Sequence, residues 1–271
     1  MNRLEIQRQK TLHRAQREAH RESKRQKPQP AMATTHAPLD CACVIHGNVY
    51  EWKYVDTLYN MLCRNITRPI RLHVYTESDR HVPEPYIKHA LEDWGIGGPK
   101  RSWWYKIQMF NQQHHAGPLL YFDLDVVIVR NIDWVWQLNQ RQFWALKDFK
   151  HIWRPTHQGI NSSMMWWDTV QYDWIWQEFK RREINNTIRR YPGDQDFISE
   201  LLDQSKLCYF DNTLVKSWRW QALDGGFDFR RRTWHTPGTG TDISDGTAVL
   251  IFHGKPKPDQ TPDPVIQQHW R

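Results

Sequence analysis

From Asp40 onward, short apolar runs alternate with stretches of helical periodicity, and that alternation restricts the fold more than any other feature of the chain. Residues 41–46 read as a buried strand, residues 52–64 as a helix with Tyr54, Leu58, Met61 and Leu62 on one side, and residues 70–75 as a second strand. Residues 103–113 offer a further helix. Residues 119–129 make an eleven-residue run with nine apolar side chains and two aspartates. Strands alternating with helices imply a single α/β domain with a mainly parallel central sheet covered by helices, its ligands sitting beyond the carboxyl ends of the strands. A chain of 271 residues is long enough to bury one core of this kind.

Charge is concentrated at one end. Residues 1–30 hold nine Lys or Arg against three Glu, so they carry +6 of the formal +7 and leave +1 for the rest. Apolar residues are too sparse there to bury much surface, and residues 1–36 are expected to form a disordered or partly helical basic arm, broken at Lys27-Pro28-Gln29-Pro30. Such an arm suits an anionic surface, nucleic acid or membrane, or is simply a solvated tail. The domain is expected over residues 37–262, with a C-terminal tail at 263–271, and residues 224–246, rich in Gly, Pro and Asp, as a surface excursion. No apolar run is long enough to span a bilayer. The first residues lack the apolar stretch of a secretory leader, so a cytoplasmic protein is expected, in which the sequons at Asn65, Asn161 and Asn185 carry no glycan. Cys41, Cys43, Cys63 and Cys208 read as free, buried thiols.

The chemistry centres on Leu119-Leu120-Tyr121-Phe122-Asp123-Leu124-Asp125-Val126-Val127. On one strand, residues two apart point the same way, which aims both carboxylates at one site. Two carboxylates in an apolar wall suffer desolvation and mutual repulsion unless a cation or a shared proton relieves them. Oxygen ligands of this type suit Mn²⁺ or Mg²⁺ with substrate phosphates completing the shell. A structural alternative is a pair of strand-end aspartates capping the next turn.

The segment resembles the Asp-x-Asp strand of nucleotide-sugar glycosyltransferases with the Rossmann-like GT-A fold, in particular glycosyltransferase family 8 and its relatives, and the likeness extends in order over residues 40–260. Val44-Ile45-His46-Gly47-Asn48-Val49-Tyr50 resembles the segment that lines the nucleotide pocket, giving His46, Gly47 and Tyr50 as donor-binding candidates. Trp104-Tyr105-Lys106-Ile107 matches the helix that brings a basic residue to the donor. Gly159-Ile160-Asn161-Ser162-Ser163 resembles the Asn-x-Gly-like strand facing the donor sugar, although Ser162 and Ser163 stand where the family has a small residue and Gly. Gly193-Asp194-Gln195-Asp196 resembles an Asp-Gln-Asp segment, which makes Asp194 and Gln195 the catalytic candidates; an acidic residue opening a helix is the structural alternative. Phe252-His253-Gly254-Lys255-Pro256-Lys257 resembles a closing His, Gly and Lys-Pro, more compact than in the family, so that Lys255 and Lys257 are both candidates for the diphosphate. A neutral imidazole suits a Mn²⁺-like ion, adding His253 to Asp123 and Asp125 as a metal ligand, and Gly254 belongs to the same donor segment. The resemblance implies a UDP-sugar donor and retention of configuration. The acceptor, whether a glycan, a lipid-linked sugar or a protein, falls on variable loops.

Two rival readings are a haloacid-dehalogenase-like phosphotransferase, because Asp123-Leu124-Asp125-Val126-Val127 also resembles that nucleophile motif, and a nucleic-acid binder acting through the basic arm. The first expects its motif at the end of the first strand of the domain. Among sixteen tryptophans, most are expected in the core, with Trp174 and Trp176 structural and Trp218 and Trp220 at the acceptor side.

Overall fold

The computed structural model describes residues 37–96, 101–203, 205–223, 227–228, 233–234 and 240–271. The chain divides into two units, Met1–Ala37 and Pro38–Arg271, and the second is the subject below. The expected basic arm, residues 1–36, lies outside the described residues.

Seven strands form the main sheet: β1 (Leu39–Val44), β2 (Ile70–Thr76), β3 (Ile87–Ala90), β4 (Pro118–Phe122), β6 (Phe143–Lys147), β7 (Ile160–Asp168) and β8 (Leu207–Tyr209), in the order β3-β2-β1-β4-β7-β6-β8. The pairs of β1 with β2 and β4, of β2 with β3 and of β6 with β8 are parallel, and β7 runs antiparallel to both neighbours. Three short strands, β5 (Val126–Ile128), β9 (Val215–Ser217) and β12 (Val249–Ile251), form a second sheet, and β10 (Phe227–Asp228) pairs with β11 (Thr233–Trp234) within the expected excursion.

The two-residue period of β1 divides the core. Cys41 and Cys43 face one cluster with Leu72, Val74, Leu120 and Phe122, while Ala42 faces the other with Tyr75, Tyr121, Met165 and Trp167. Helix α1 (Lys53–Asn65) covers the first face because Tyr54, Val55, Leu58, Met61 and Leu62 recur at helical spacing and are all buried. Each such aliphatic side chain contributes about 1.5–3 kcal/mol on burial. The second face is closed by a 3₁₀-helical stretch, Ser102–Phe110, by α2 (Thr169–Arg181) and by α4 (Asp194–Leu201), with the short α3 (Ile184–Arg190) between the last two. Asp168 starts α2 by accepting from the Val170 and Gln171 amides.

Some expectations are corrected here. Residues 103–113 form a tighter 3₁₀ stretch ending at Phe110 instead of an α-helix. Residues 263–271, set apart above as a tail, form α5 (Pro264–His269), with Ile266 buried, Trp270 edge-on to Tyr54, and Arg64 donating to the His269 and Arg271 carbonyls. Of the four free cysteines only Cys41 and Cys43 are buried; Cys63 is exposed and Cys208 half-buried. Trp176 is buried as expected but Trp174 is exposed, and Trp218 is a core residue stacked on Phe252. No helix among the described residues is long and apolar enough to cross a membrane.

Candidate active site

The run over residues 119–129 is two strands in different sheets. After Phe122 the Asp123 amide still donates to the Ser163 carbonyl, then the chain turns through Leu124, and Val126 pairs with Ile251 of β12. The two aspartates therefore stand on a turn at the seam of the sheets, not side by side on one strand. They nevertheless line one cavity of about 310 Å³ at the carboxyl ends of β1 and β4.

Each carboxylate already faces a lysine. Asp123 Oδ1 lies 2.8 Å from Lys106 Nζ and accepts a 2.5 Å hydrogen bond from the Tyr121 hydroxyl. Burial pushes the Asp123 carboxyl up, but Lys106, Tyr121 and Ser163 outweigh it and hold it below the usual range. Asp125 is 5% exposed, with Lys257 Nζ 2.5 Å from its Oδ2. Burial and the neighbouring Asp123 charge push the Asp125 carboxyl up despite Lys257 and the Tyr50 hydroxyl. Asp125 alone is thus left short of positive charge.

The strand β12 delivers the other wall. His253 follows it, its Nε2 2.7 Å from Ser217 Oγ and its ring stacked on Phe149. Burial, with Arg219 and Lys257 nearby, pushes its imidazole down to about 4, so it is neutral near pH 7. Gly254 turns the chain with φ +77°, a conformation that disfavours a side chain. Lys255 is exposed and outside the lining, whereas Lys257 lines the cavity over the Tyr50 ring. At the far side, His46 lines the cavity and stacks on Tyr105 with centroids 3.9 Å apart. Gly47 does not line it; its φ is +67° and its amide donates to Glu77 Oε1 at 2.5 Å, with Arg80 donating to its carbonyl, which fixes the loop after β1.

A second cavity of about 390 Å³ shares Trp103, Lys106, Asp123 and Ser163 with the first and adds Ser162, Asp194 and Gln195. Asp194 opens α4, yet its side chain does not cap the helix: Ser162 Oγ donates to Asp194 Oδ2 at 2.7 Å, and Lys106 Nζ is 3.1 Å from Ser162 Oγ and 3.8 Å from Asp194. Burial raises the Asp194 carboxyl against the pull of Lys106 and Ser162. For Lys106, burial lowers the ammonium, but the Asp123 and Asp194 charges raise it more, so it is a fully charged buried cation. Asn161 lies outside both linings and accepts instead from the Ser163 amide.

The candidates His46, Tyr50, Lys106, Asp123, Asp125, His253, Gly254 and Lys257 thus meet at one cavity, Ser162, Asp194 and Gln195 at its neighbour, and Gly47, Asn161 and Lys255 at neither. Sequence reasoning missed Trp103, which lines both and was marked only by adjacency to the Lys106 segment; Ser163, quoted in the strand facing the donor sugar but not made a candidate, lines both as well. Among the described residues, one trio of His, Cys, Asp or Glu has ligand atoms all within 4.8 Å of one another, Asp40, His73 and His115, so Asp123, Asp125 and His253 are not drawn that close.

No protein-family profile matches the chain, and no curated protein matches it in sequence. Its structure is similar to solved glycosyltransferases. An active-site mutant of LgtC superposes with a TM-score of 0.60 at 13% identity, covering 84% of this chain and 93% of that one. The galactosyltransferase LgtC in complex with donor and acceptor sugar analogues gives 0.53 at 13% identity, covering 81% and 89%. The glycosyltransferase GlyE of Streptococcus pneumoniae TIGR4 gives 0.56 at 11% identity, covering 81% of this chain and 56% of that one. The fold is that of GT-A glycosyltransferases, as the resemblance implied. The Asp pair ends the fourth strand in chain order, unlike the first-strand motif of the phosphotransferase reading.

Proposed function

We propose that this chain is a metal-dependent glycosyltransferase that takes a sugar from a nucleoside-diphosphate donor, a UDP-sugar, and passes it to an acceptor hydroxyl. The observation that carries the reading is the convergence of two carboxylates, a neutral imidazole and a lysine on one cavity at the carboxyl ends of the strands of a GT-A fold. The donor set fits Mn²⁺ or Mg²⁺, since buried Asp125 is short of positive charge and His253 offers a neutral nitrogen. Asp123, Asp125 and His253 would hold the ion, which supplies positive charge to a departing diphosphate.

The chain's own groups have distinct tasks. Lys257, a compact cation above Tyr50, suits the diphosphate. His46, backed by Tyr105, and Tyr50, beneath Lys257, line the cavity with rings that suit a nucleobase and ribose. Asp194 sits in the adjoining cavity, where a carboxylate stabilises positive charge growing on the anomeric carbon, and Gln195 beside it offers an amide to the sugar. Lys106 does not meet substrate in this scheme; it ties Asp123, Ser162 and Asp194 into one rigid group, so that both cavities share one geometry. The second cavity has room for the transferred sugar and the acceptor hydroxyl, a glycan being the acceptor class we favour.

Thermal unfolding with UDP, GDP, ADP or CMP, each with and without Mn²⁺, tests this, because a ligand that binds only the native state raises apparent stability. A rise that requires UDP and the metal together, and disappears in Asp125→Asn, is expected. No shift with any nucleotide, together with metal-dependent hydrolysis of a phosphate ester, would overturn the reading.

A further inference from the structure

On the main sheet but outside both cavity linings, around the start of β1, β2, β3 and the loop that enters β4, a carboxylate and four imidazoles gather. Parallel pairing sets Ala42 beside His73 and Tyr75 beside His89, so Asp40, His73 and His89 project on the same side of three adjacent strands. Asp40 Oδ1 lies 2.8 Å from His73 Nε2, and His73 Nδ1 lies 2.8 Å from His89 Nε2. The loop before β4 adds His115, whose ring stands edge-on to His73 at 4.8 Å, and His114, whose ring is 5.8 Å from that of His89. Asp40, His73 and His115 offer ligand atoms all within 4.8 Å of one another. None of these residues lines either cavity described above.

We infer that Asp40, His73 and His115 form a structural site for a transition-metal ion of the Zn²⁺ class, remote from the donor site and independent of it. Two imidazole nitrogens and one carboxylate oxygen are the donor types that Zn²⁺ takes, with water left for a fourth position. His73 is 5% exposed and could not reach solvent to satisfy its nitrogens. One of them faces Asp40 and the other His89, which is the arrangement in which a ligating histidine donates its second N–H to an outer acceptor and is thereby fixed in tautomer and orientation. A metal-free hydrogen-bonded relay would account for Asp40, His73 and His89; His115 stands outside it, with Nε2 3.4 Å from the Pro118 carbonyl and Nδ1 left for an ion.

Arg71 is the competitor. Its Nε and Nη2 donate to Asp40 Oδ1 and Oδ2 at 2.7 and 2.6 Å, so a cation must share Oδ1 with a guanidinium. The Arg71 side chain is 51% exposed but that of Asp40 only 12%, and the contact is bidentate, so the guanidinium competes directly with an ion for Oδ1. Its contact to Oδ2 can remain and orient the carboxylate. Removing Arg71 should therefore strengthen metal binding, an effect that a purely structural ion pair would not produce.

The test uses the full chain carrying Asp125→Asn, stripped with a chelator and titrated with Zn²⁺ by calorimetry, and with Co²⁺ as a coloured probe of coordination. One bound equivalent, a tetrahedral Co²⁺ spectrum and a Zn²⁺-dependent rise in unfolding temperature are expected. Adding His115→Ala should weaken binding by more than roughly tenfold, His89→Gln by roughly tenfold, and Arg71→Met should tighten it. His115 is half-buried on a loop, and the metal-free unfolding temperature of its variant shows whether it folds. No bound equivalent in Asp125→Asn, or the same affinity after His115→Ala in a folded protein, would overturn the inference. Failure of the nucleotide experiment leaves this result unaffected, because no residue is shared.

Discussion

Replacing Lys106 by methionine keeps most of the side-chain volume and removes only the charge. In the native chain that charge is 7% exposed and stands 2.8 Å from Asp123 and 3.8 Å from Asp194, which is itself 3% exposed. Removing one member of a buried ionic group leaves an uncompensated charge and costs about 3–5 kcal/mol, a large share of the about 5–15 kcal/mol that holds a domain folded. The cost should depend on pH. Without the lysine, the folded-state carboxyls of Asp123 and Asp194 rise above their unfolded value of about 3.9, so the native variant binds more protons than the unfolded chain and gains stability as pH falls. The parent behaves oppositely at Asp123, whose lowered carboxyl contributes stability above the unfolded value and loses it as pH falls through the folded one. The gap between variant and parent should therefore be widest near about pH 8 and narrow toward about pH 5. Urea unfolding at both pH values measures it, with an unchanged slope marking an unchanged unfolded state. A loss below about 1 kcal/mol, or one of equal size at both pH values, would refute the assignment of Lys106 as the charge that holds the two cavities together.

Two further outcomes follow from burial. In the metal-free protein His253 is held at about 4, below an unfolded value of about 6.5, so the native chain binds fewer protons between those values and stability present above them is lost as pH falls; His253→Phe should flatten that acid limb in unfolding curves taken across the range, by up to about 3 kcal/mol, and an unchanged limb would count against it. Trp167 is wholly buried between Phe110 and Phe143, and Trp167→Ala should cost about 3–5 kcal/mol in urea unfolding without altering the metal affinity of the Asp40 group.

How far the sequence foretold this depends on the range over which each signal acts. The helix α1 was legible because five apolar residues repeat within thirteen positions and bury together. The switch of sheets at Asp123 and Asp125 was not, because residues 119–122 and 126–129 are apolar on every face and periodicity cannot tell one long strand from two. The choice between Lys255 and Lys257 turned on the path of the chain after Gly254, a backbone matter that spacing does not encode. The C-terminal helix did carry a signal in Asp263-Pro264, an N-cap followed by proline at the first turn, although residues 263–271 were expected to form a tail. The Asp40 group has no local signature, since its members lie on β1, on β2 and in the loop before β4 and meet only when the sheet forms.

The seam at which β4 gives way to β5 has a mechanical consequence. One side of the main cavity hangs from the seven-stranded sheet through Asp123, and the other from the three-stranded sheet through His253, just past Ile251. A ligand gripped by both acts as a rivet between two separately hydrogen-bonded pieces, so the small sheet cannot swing or fray without first releasing it. The amides of Val249, Leu250 and Ile251, on the middle strand of that sheet, would then be a gauge of occupancy, their exchange with solvent slowing when the cavity is filled.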